Sequence, residues 1–190
     1  MRLFSIREIK TMSQYLVLTV MGPDRTGSVS SLTKLTSECG CNIVDSRMAI
    51  FGLEFTMIML LKGSAKAINQ LESKLPAVAV KRELITMMKR TSGYKVQDFT
   101  KHYQAEYAGI DQPGLLKAVT AFFAARNIDI SSLKSEINPD NNYMNATMLI
   151  ALTEDTSIEQ LEKEYFELCE QVDVQGTITK CNSNLIQGKL

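Results

Sequence analysis

The sequence lacks a basic excess. Lysine plus arginine number 21, aspartate plus glutamate also number 21, and the formal net charge is zero. Proteins that hold nucleic acid by their own charge usually carry a basic excess or a basic face, because phosphate neutralisation drives that affinity. Neither helix-turn-helix nor zinc-finger spacing is visible, so direct nucleic-acid binding is not expected. No apolar run approaches the roughly 20 residues that span a bilayer, and no membrane association is expected. The opening stretch MRLFSIREIKTMS is too broken by charge to form the apolar core of a secretory signal. It is set aside as a tail, with Met12 as an alternative start.

Histidine is almost absent: His102 is the only one. Nucleophilic catalysis needs a base within reach of a nucleophile, and no second motif is present to meet this histidine. No carboxylate spacing points to paired acid–base chemistry either. No catalytic residue is expected, and the chain reads as a non-enzyme. Alternation places His102, Gln104 and Glu106 on one strand face, which reads as solvated or as an interdomain surface. Cysteine is also scarce, with Cys39, Cys41, Cys169 and Cys181. A zinc site wants Cys-x2–4-Cys with a matching second pair, which these positions do not supply. They read as reduced packing thiols of a cytoplasmic protein, with no metal and no cofactor.

What is present is a soluble globular composition, 45% hydrophobic and 22% charged, and a repeat. YLVLTVM reads as a strand and GPDRTG as a turn. SVSSLTKLTSEC follows with Val29, Leu32, Leu35 and Cys39 at helical spacing. CNIVDSRMAIF is a second strand and FTMIMLL a third. Ser64 can cap AKAINQLESKL, whose Ala67, Ile68, Leu71 and Leu75 share a face. Pro76 is expected to end that helix, and VKRELITMMK to form a fourth strand. After the polar stretch RTSGYKVQD the order returns. KHYQAEYAGI, IDISSLKSEI, YMNATMLIAL and VQGTITKC read as strands, and LLKAVTAFFAAR and SIEQLEKEYFELCEQV as helices. The last helix carries Ile158, Leu161, Tyr165, Leu168 and Val172 as its stripe.

Each half is therefore β-α-β-β-α-β, the ferredoxin-like unit, and the fold class is α+β with an antiparallel sheet and two helices per unit. The halves align at an offset of 87 residues, with Asp24 on Asp111, Gly27 on Gly114, Thr33 on Thr120, Ile43 on Ile130 and Asn42 on Asp129. The expected organisation is a tail at 1–13, a first domain at 14–90, a linker at 91–99, a second domain at 100–182 and a tail at 183–190. Units of roughly 80 residues are only marginally stabilised by one core, so the halves are expected to pack on each other or to form a homodimer.

The turn MGPDRTGS concentrates the chemistry. Gly22 and Gly27 have P-loop spacing, but Ser28 stands where the lysine belongs, Asp24 would repel phosphate, and AGIDQPG breaks the spacing in the second copy. Two readings remain, and they are compatible. Asp24 and Asp111 can cap the helices that follow, with Pro113 at an early helical position and Gly27 and Gly114 allowing close backbone approach. Alternatively, a helix N-terminus suits a carboxylate while Asp24 or Asn42 takes an ammonium group, together complementing an α-amino acid.

The element order, D-x-x-G opening the first helix and GCNI opening the second strand resemble the ACT domain, a regulatory amino-acid-binding module. DRTG departs from the family's D-R-P-G at Thr26, and DQPG departs at Gln112. The stretches YLVLTVMGPDRTG, CGCNIVDSRMAIFGLEFTMIMLLKGS and MMKRT narrow the resemblance, over roughly Tyr15 to Thr91, to the tandem-ACT repressor family of glycine cleavage genes. That resemblance implies a transcriptional regulator which holds a LysR-type transcriptional activator in a repressing complex, and which glycine, a small amino acid, releases. It also implies ligand-binding positions near the first loop and the start of the second strand. These are Gly22, Asp24, Arg25, Thr26, Gly27, Cys41 and Asn42, with Asp111, Gln112, Gly114, Ile128 and Asp129 in the second copy. The alternative implied by ACT modules generally is an amino-acid-sensing regulatory subunit of a metabolic enzyme.

Overall fold

A computed structural model of the chain describes residues 13–92, 102–152 and 156–181. The two expected tails, and the expected linker beyond residue 92, lie outside the described residues. The chain divides into two compact units, Met1–Lys95 and Val96–Leu190. In the first, the elements run β1 (Gln14–Pro23), α1 (Ser28–Glu38), β2 (Asn42–Phe51), β3 (Glu54–Gly63), α2 (Ala65–Arg82) and β4 (Ile85–Thr91). In the second they run β5 (His102–Ile110), α3 (Leu115–Ala124), β6 (Asp129–Asn138), β7 (Tyr143–Ala151), α4 (Ile158–Gln171) and β8 (Gln175–Lys180). The sheets have the orders β2-β3-β1-β4 and β6-β7-β5-β8, and every pairing is antiparallel. The two units are therefore tandem ferredoxin-like folds.

Period-2 alternation sets one sheet face inward. In the first unit Leu16, Leu18 and Val20 of β1 and Phe55, Met57, Met59 and Leu61 of β3 are buried with Leu32, Leu35, Ile68, Leu71 and Leu75 of the helices. The second unit repeats this with Ala105, Tyr107, Met144, Met148 and Ile150 beneath Val119, Phe123, Leu161 and Tyr165. The duplication extends to irregularities. The register of β2 slips between Ile43 and Asp45, and that of β6 slips between Ile130 and Ser132. These equivalent β-bulges re-aim the rest of each edge strand.

The opposite sheet faces differ. In the first unit Ile58 and Met87 flank Thr19, and Ile85 pairs with Met21. Those four apolar side chains are 44–73% exposed. Around Glu106 in the second unit the same rows hold Thr147 and Thr177, with Gln104 donating to the Glu106 carboxylate at 2.8 Å.

Two expectations from the sequence are corrected. Pro76 does not end α2, which continues to Arg82. Proline removes the bond to the Glu72 carbonyl, but Pro76 is exposed, so water can satisfy that carbonyl. Leu75 and Ala79 on the buried face keep the next turn packed. His102 is not on a solvated face: it is 7% exposed.

Gly22 and Gly109 mark equivalent close approaches to the backbone of the helix-ending corner. A Cβ at Gly22 would lie 2.8 Å from Leu84 Cδ2 and 2.9 Å from the Glu83 carbonyl, and one at Gly109 would lie 2.7 Å from Val174. Each first strand thus runs directly under the left-handed corner that ends the unit's second helix, at Glu83 (φ 57°) and Asp173 (φ 56°). Two opposite stability changes are expected in urea unfolding. Gly22→Ala lowers stability by roughly 1–3 kcal/mol through overpacking. Pro76→Ala raises it by about 1 kcal/mol, because the restored helix bond outweighs the freedom returned to the unfolded chain.

Candidate functional site

The first loop is shaped by its backbone. Gly27 is the N-cap of α1 in the left-handed conformation (φ 86°), and no side chain caps the helix. Gly114 does the same for α3 at φ 92°. The expected aspartate caps are not formed. The Asp24 amide instead donates to the Leu53 carbonyl at 3.0 Å, and the Asp111 amide to the Asn142 carbonyl at 2.8 Å. These bonds tie each loop to the adjacent β-hairpin. The glycines serve positive φ rather than close approach, since a Cβ at Gly114 would meet nothing within 4 Å.

The positions singled out by resemblance fall into two groups within each unit. Asp24, Arg25, Thr26 and Gly27 lie together at the end of the sheet that holds the β2–β3 turn. Gly22 is close by but buried under the Glu83–Leu84 corner. Cys41 and Asn42 lie at the other end, because Asn42 and Tyr15 both pair with Lys62 while Pro23 pairs with Glu54. That is about 27 Å along the strand, at ~3.4 Å per residue. The second unit repeats the split. Asp111, Gln112 and Gly114 sit by the hairpin end, whereas Asp129 is level with His102 through Ala151. A single cluster of loop and second-strand start is not formed inside either unit. Asn42 and Asp129 are exposed. Cys41 and Ile128 are core residues at 8% and 4% exposure, and burial raises the Cys41 thiol above its usual range. All four cysteines are free. Among the described residues no cluster of histidine, cysteine and acidic side chains could hold a metal ion.

The two loops have different neighbours. In the first unit Arg25 donates from Nη1 and Nη2 to the two carboxylate oxygens of Glu83, each at 2.9 Å. The bidentate pair holds the Glu83 carboxyl below its usual range and raises the guanidinium. Arg82 donates to Ser31 Oγ at 2.7 Å, and Ser31 Oγ donates in turn to the Gly27 carbonyl at 2.8 Å. Loop, α1 start and α2 end are thereby clasped. In the second unit the corresponding positions hold Gln112, Asp173, Val172 and Ala118, and none of these bonds has an equivalent. A groove of about 470 Å³ opens there, lined by residues that include Gln112, Gly114, Leu115, Ala118, Gln171 and Val172.

The sequence and the fold match known proteins. Residues 14–89 match the ACT domain family. The chain is 37% identical, over 172 residues, to the glycine cleavage system transcriptional repressor of Escherichia coli (strain K12), covering 88% of this chain and 90% of that protein. The chain belongs to the glycine cleavage system transcriptional repressor family. A crystal structure carrying that designation is 36% identical, with a TM-score of 0.71 over 88% of this chain and 97% of that one. A protein from Galdieria sulphuraria at 24% identity shares the fold, with a TM-score of 0.70. The named members of this repressor family are regulators, not enzymes, and the chain is a non-enzymatic regulatory protein with ACT domains.

Sequence reading of this repressor family member missed Ser31, Arg82 and Glu83 as partners of the loop. Their signal was faint: Ser31 is one polar residue of a helix, and Arg82 and Glu83 fell in the stretch VKRELITMMK, expected to be the fourth strand, whereas α2 runs to Arg82 and β4 begins at Ile85. Replacing Arg25 with glutamine is expected to let Glu83 titrate at higher pH. The folded-state pKa of Glu83 is depressed, so the clasp is complete above the usual carboxylate range and is lost as pH falls through the depressed value. Carboxyl-carbon NMR titration of wild type and Arg25→Gln reads this directly, and an unchanged Glu83 midpoint would refute the clasp.

Proposed function

We propose that this chain represses glycine cleavage genes by holding a LysR-type transcriptional activator in an inactive complex, and that glycine releases it. The observation that carries this reading is the 37% identity along 88% of the chain to a named repressor of that system. The balanced charge supports action through protein contact rather than through DNA. The open sheet face of the first unit supports it as well. Exposed Met21, Ile58, Ile85 and Met87 form the kind of contiguous apolar patch that marks protein-interaction surfaces.

The effector need only bind the free and complexed states with different affinity. A tenfold difference corresponds to about 1.4 kcal/mol of coupling. The loop residues Asp24, Arg25, Thr26 and Gly27, and Asp111, Gln112 and Gly114, are the proposed contacts for the amino acid; Cys41, Asn42, Ile128 and Asp129, at the far end of each sheet, are too distant within one unit to share that ligand. Glycine offers little apolar surface, so its Kd is expected on the order of micromolar to millimolar.

Affinity capture of the activator from purified components tests the partner. The complex is expected to form without glycine and to weaken with it. Met87→Glu combined with Ile85→Glu is expected to weaken capture about tenfold or more, in line with loss of a buried apolar anchor. Calorimetric titration of glycine, with alanine and serine as controls, tests the effector. Absence of heat at tens of millimolar, at about the weakest affinity expected of so small a ligand, would remove glycine from the reading.

A further inference from the structure

The neutral total charge hides an uneven split. Basic residues outnumber acidic ones in the first unit, and the reverse holds in the second. The difference is plain on the outward faces of the equivalent helices α2 and α4, which align through their buried stripes, Leu71 on Leu161, Leu75 on Tyr165 and Ala79 on Cys169. On α2 an exposed ridge runs Lys66, Gln70, Lys74, each residue one turn from the next. A shallow recess of about 490 Å³ opens along it, lined by those three together with Asn69 and Ser73. Glu72, the acidic residue of α2, is taken up by Arg90 of β4, which donates to it from Nε at 2.9 Å.

On α4 an exposed ridge of the same spacing runs Glu162, Phe166, Glu170, and Phe166 is 54% exposed. Charges beside it are already satisfied: Glu164 pairs with Arg126, and Lys163 with Glu167. Among the described residues Lys66, Lys74, Glu162 and Glu170 form no ion pair. The two ridges match. Each sets its like charges about 12 Å apart along the helix, at ~1.5 Å per residue. Laid face to face, in either chain direction, they bring each lysine opposite a glutamate and Phe166 opposite Gln70 at the recess. Helix packing seats such a side chain between the rows of its neighbour, and an aromatic ring there also attracts the flanking ammonium groups. Pairing α2 with another α2 would oppose lysines, and α4 with another α4 would oppose glutamates, both unfavourable.

We propose that α4 of one copy of this chain docks on α2 of a second copy. Phe166 enters the recess, and Glu162 and Glu170 pair with Lys66 and Lys74. The occupant is a second copy because every chain carries both halves of the contact with the same spacing. The contact is heterologous, since each copy offers a different surface on each side of it. Charge steers it, so salt weakens it.

Sedimentation velocity on the full chain, over a range of protein concentrations, tests this. Wild type is expected to self-associate at low salt and to revert to monomer at about 1 M salt, where the screening length is about 3 Å. Glu162→Lys with Glu170→Lys reverses the ridge of α4, and Lys66→Glu with Lys74→Glu reverses that of α2. All four positions are exposed, and circular dichroism checks that each variant is folded. Each variant alone is expected to associate at least about tenfold more weakly, because like charges then face each other. An equimolar mixture of the two is expected to recover association, since the reversed α4 of one meets the reversed α2 of the other. Three results overturn the proposal: wild type that stays monomeric up to about 0.1 mM, association that ignores both reversals, or a mixture that does not recover. A monomeric wild type whose capture of the activator is lost on reversing the α4 ridge also overturns it, and gives the ridge to that partner instead.

Discussion

Each unit depends on a close contact between its first strand and the corner that closes its second helix. Gly22 passes within Cβ-excluding distance of Glu83 and Leu84, and Gly109 does so beneath Val174. The corner residues Glu83 and Asp173 take positive φ, a conformation tolerated in residues that end a helix. This contact sets the end of the second helix beside the start of the first. Every side-chain interaction around the loops follows from that placement, including the Arg25–Glu83 pair, the Arg82–Ser31 bond and the groove of the second unit.

Duplication has therefore kept a scaffold and changed its furnishing. Backbone features recur at equivalent positions: the left-handed N-cap glycines, the corners and the bulges after Ile43 and Ile130. Side chains at the loop do not recur. The exposed Arg25–Glu83 pair contributes little to stability, as expected of solvated ion pairs, but it fixes where the loop's charges point. Its absence from the second unit leaves Gln112 and a cavity. The open sheet faces diverge in the same way, apolar around Thr19 and polar around Glu106.

The sequence reading located most elements because local rules and tertiary packing agreed. The stripe of Ala67, Ile68, Leu71 and Leu75 is buried as its 3.6 period required, and Ser64 caps α2 by accepting from the Ala67 amide at 3.2 Å. Where local rules stood alone they failed. Proline 76 was outweighed by the buried Leu75 and Ala79. His102 is buried although its strand neighbours Gln104 and Glu106 remain half-exposed. Asp24 had the composition of a cap, yet its backbone is held by Leu53.

The sequence by itself determined the repeat, the order of the elements and the faces that must be buried, because these depend on periodicity and on residues near one another in the chain. Only the tertiary structure decided what surrounds the loops. It set Cys41 and Asn42 at the far end of the sheet from Asp24, since β2 pairs with β3 in a register that begins opposite Lys62. It also brought Arg82 and Glu83 to Ser31 and Arg25 across more than fifty residues. Such pairings rest on the geometry of packed elements, which no local pattern in the chain encodes.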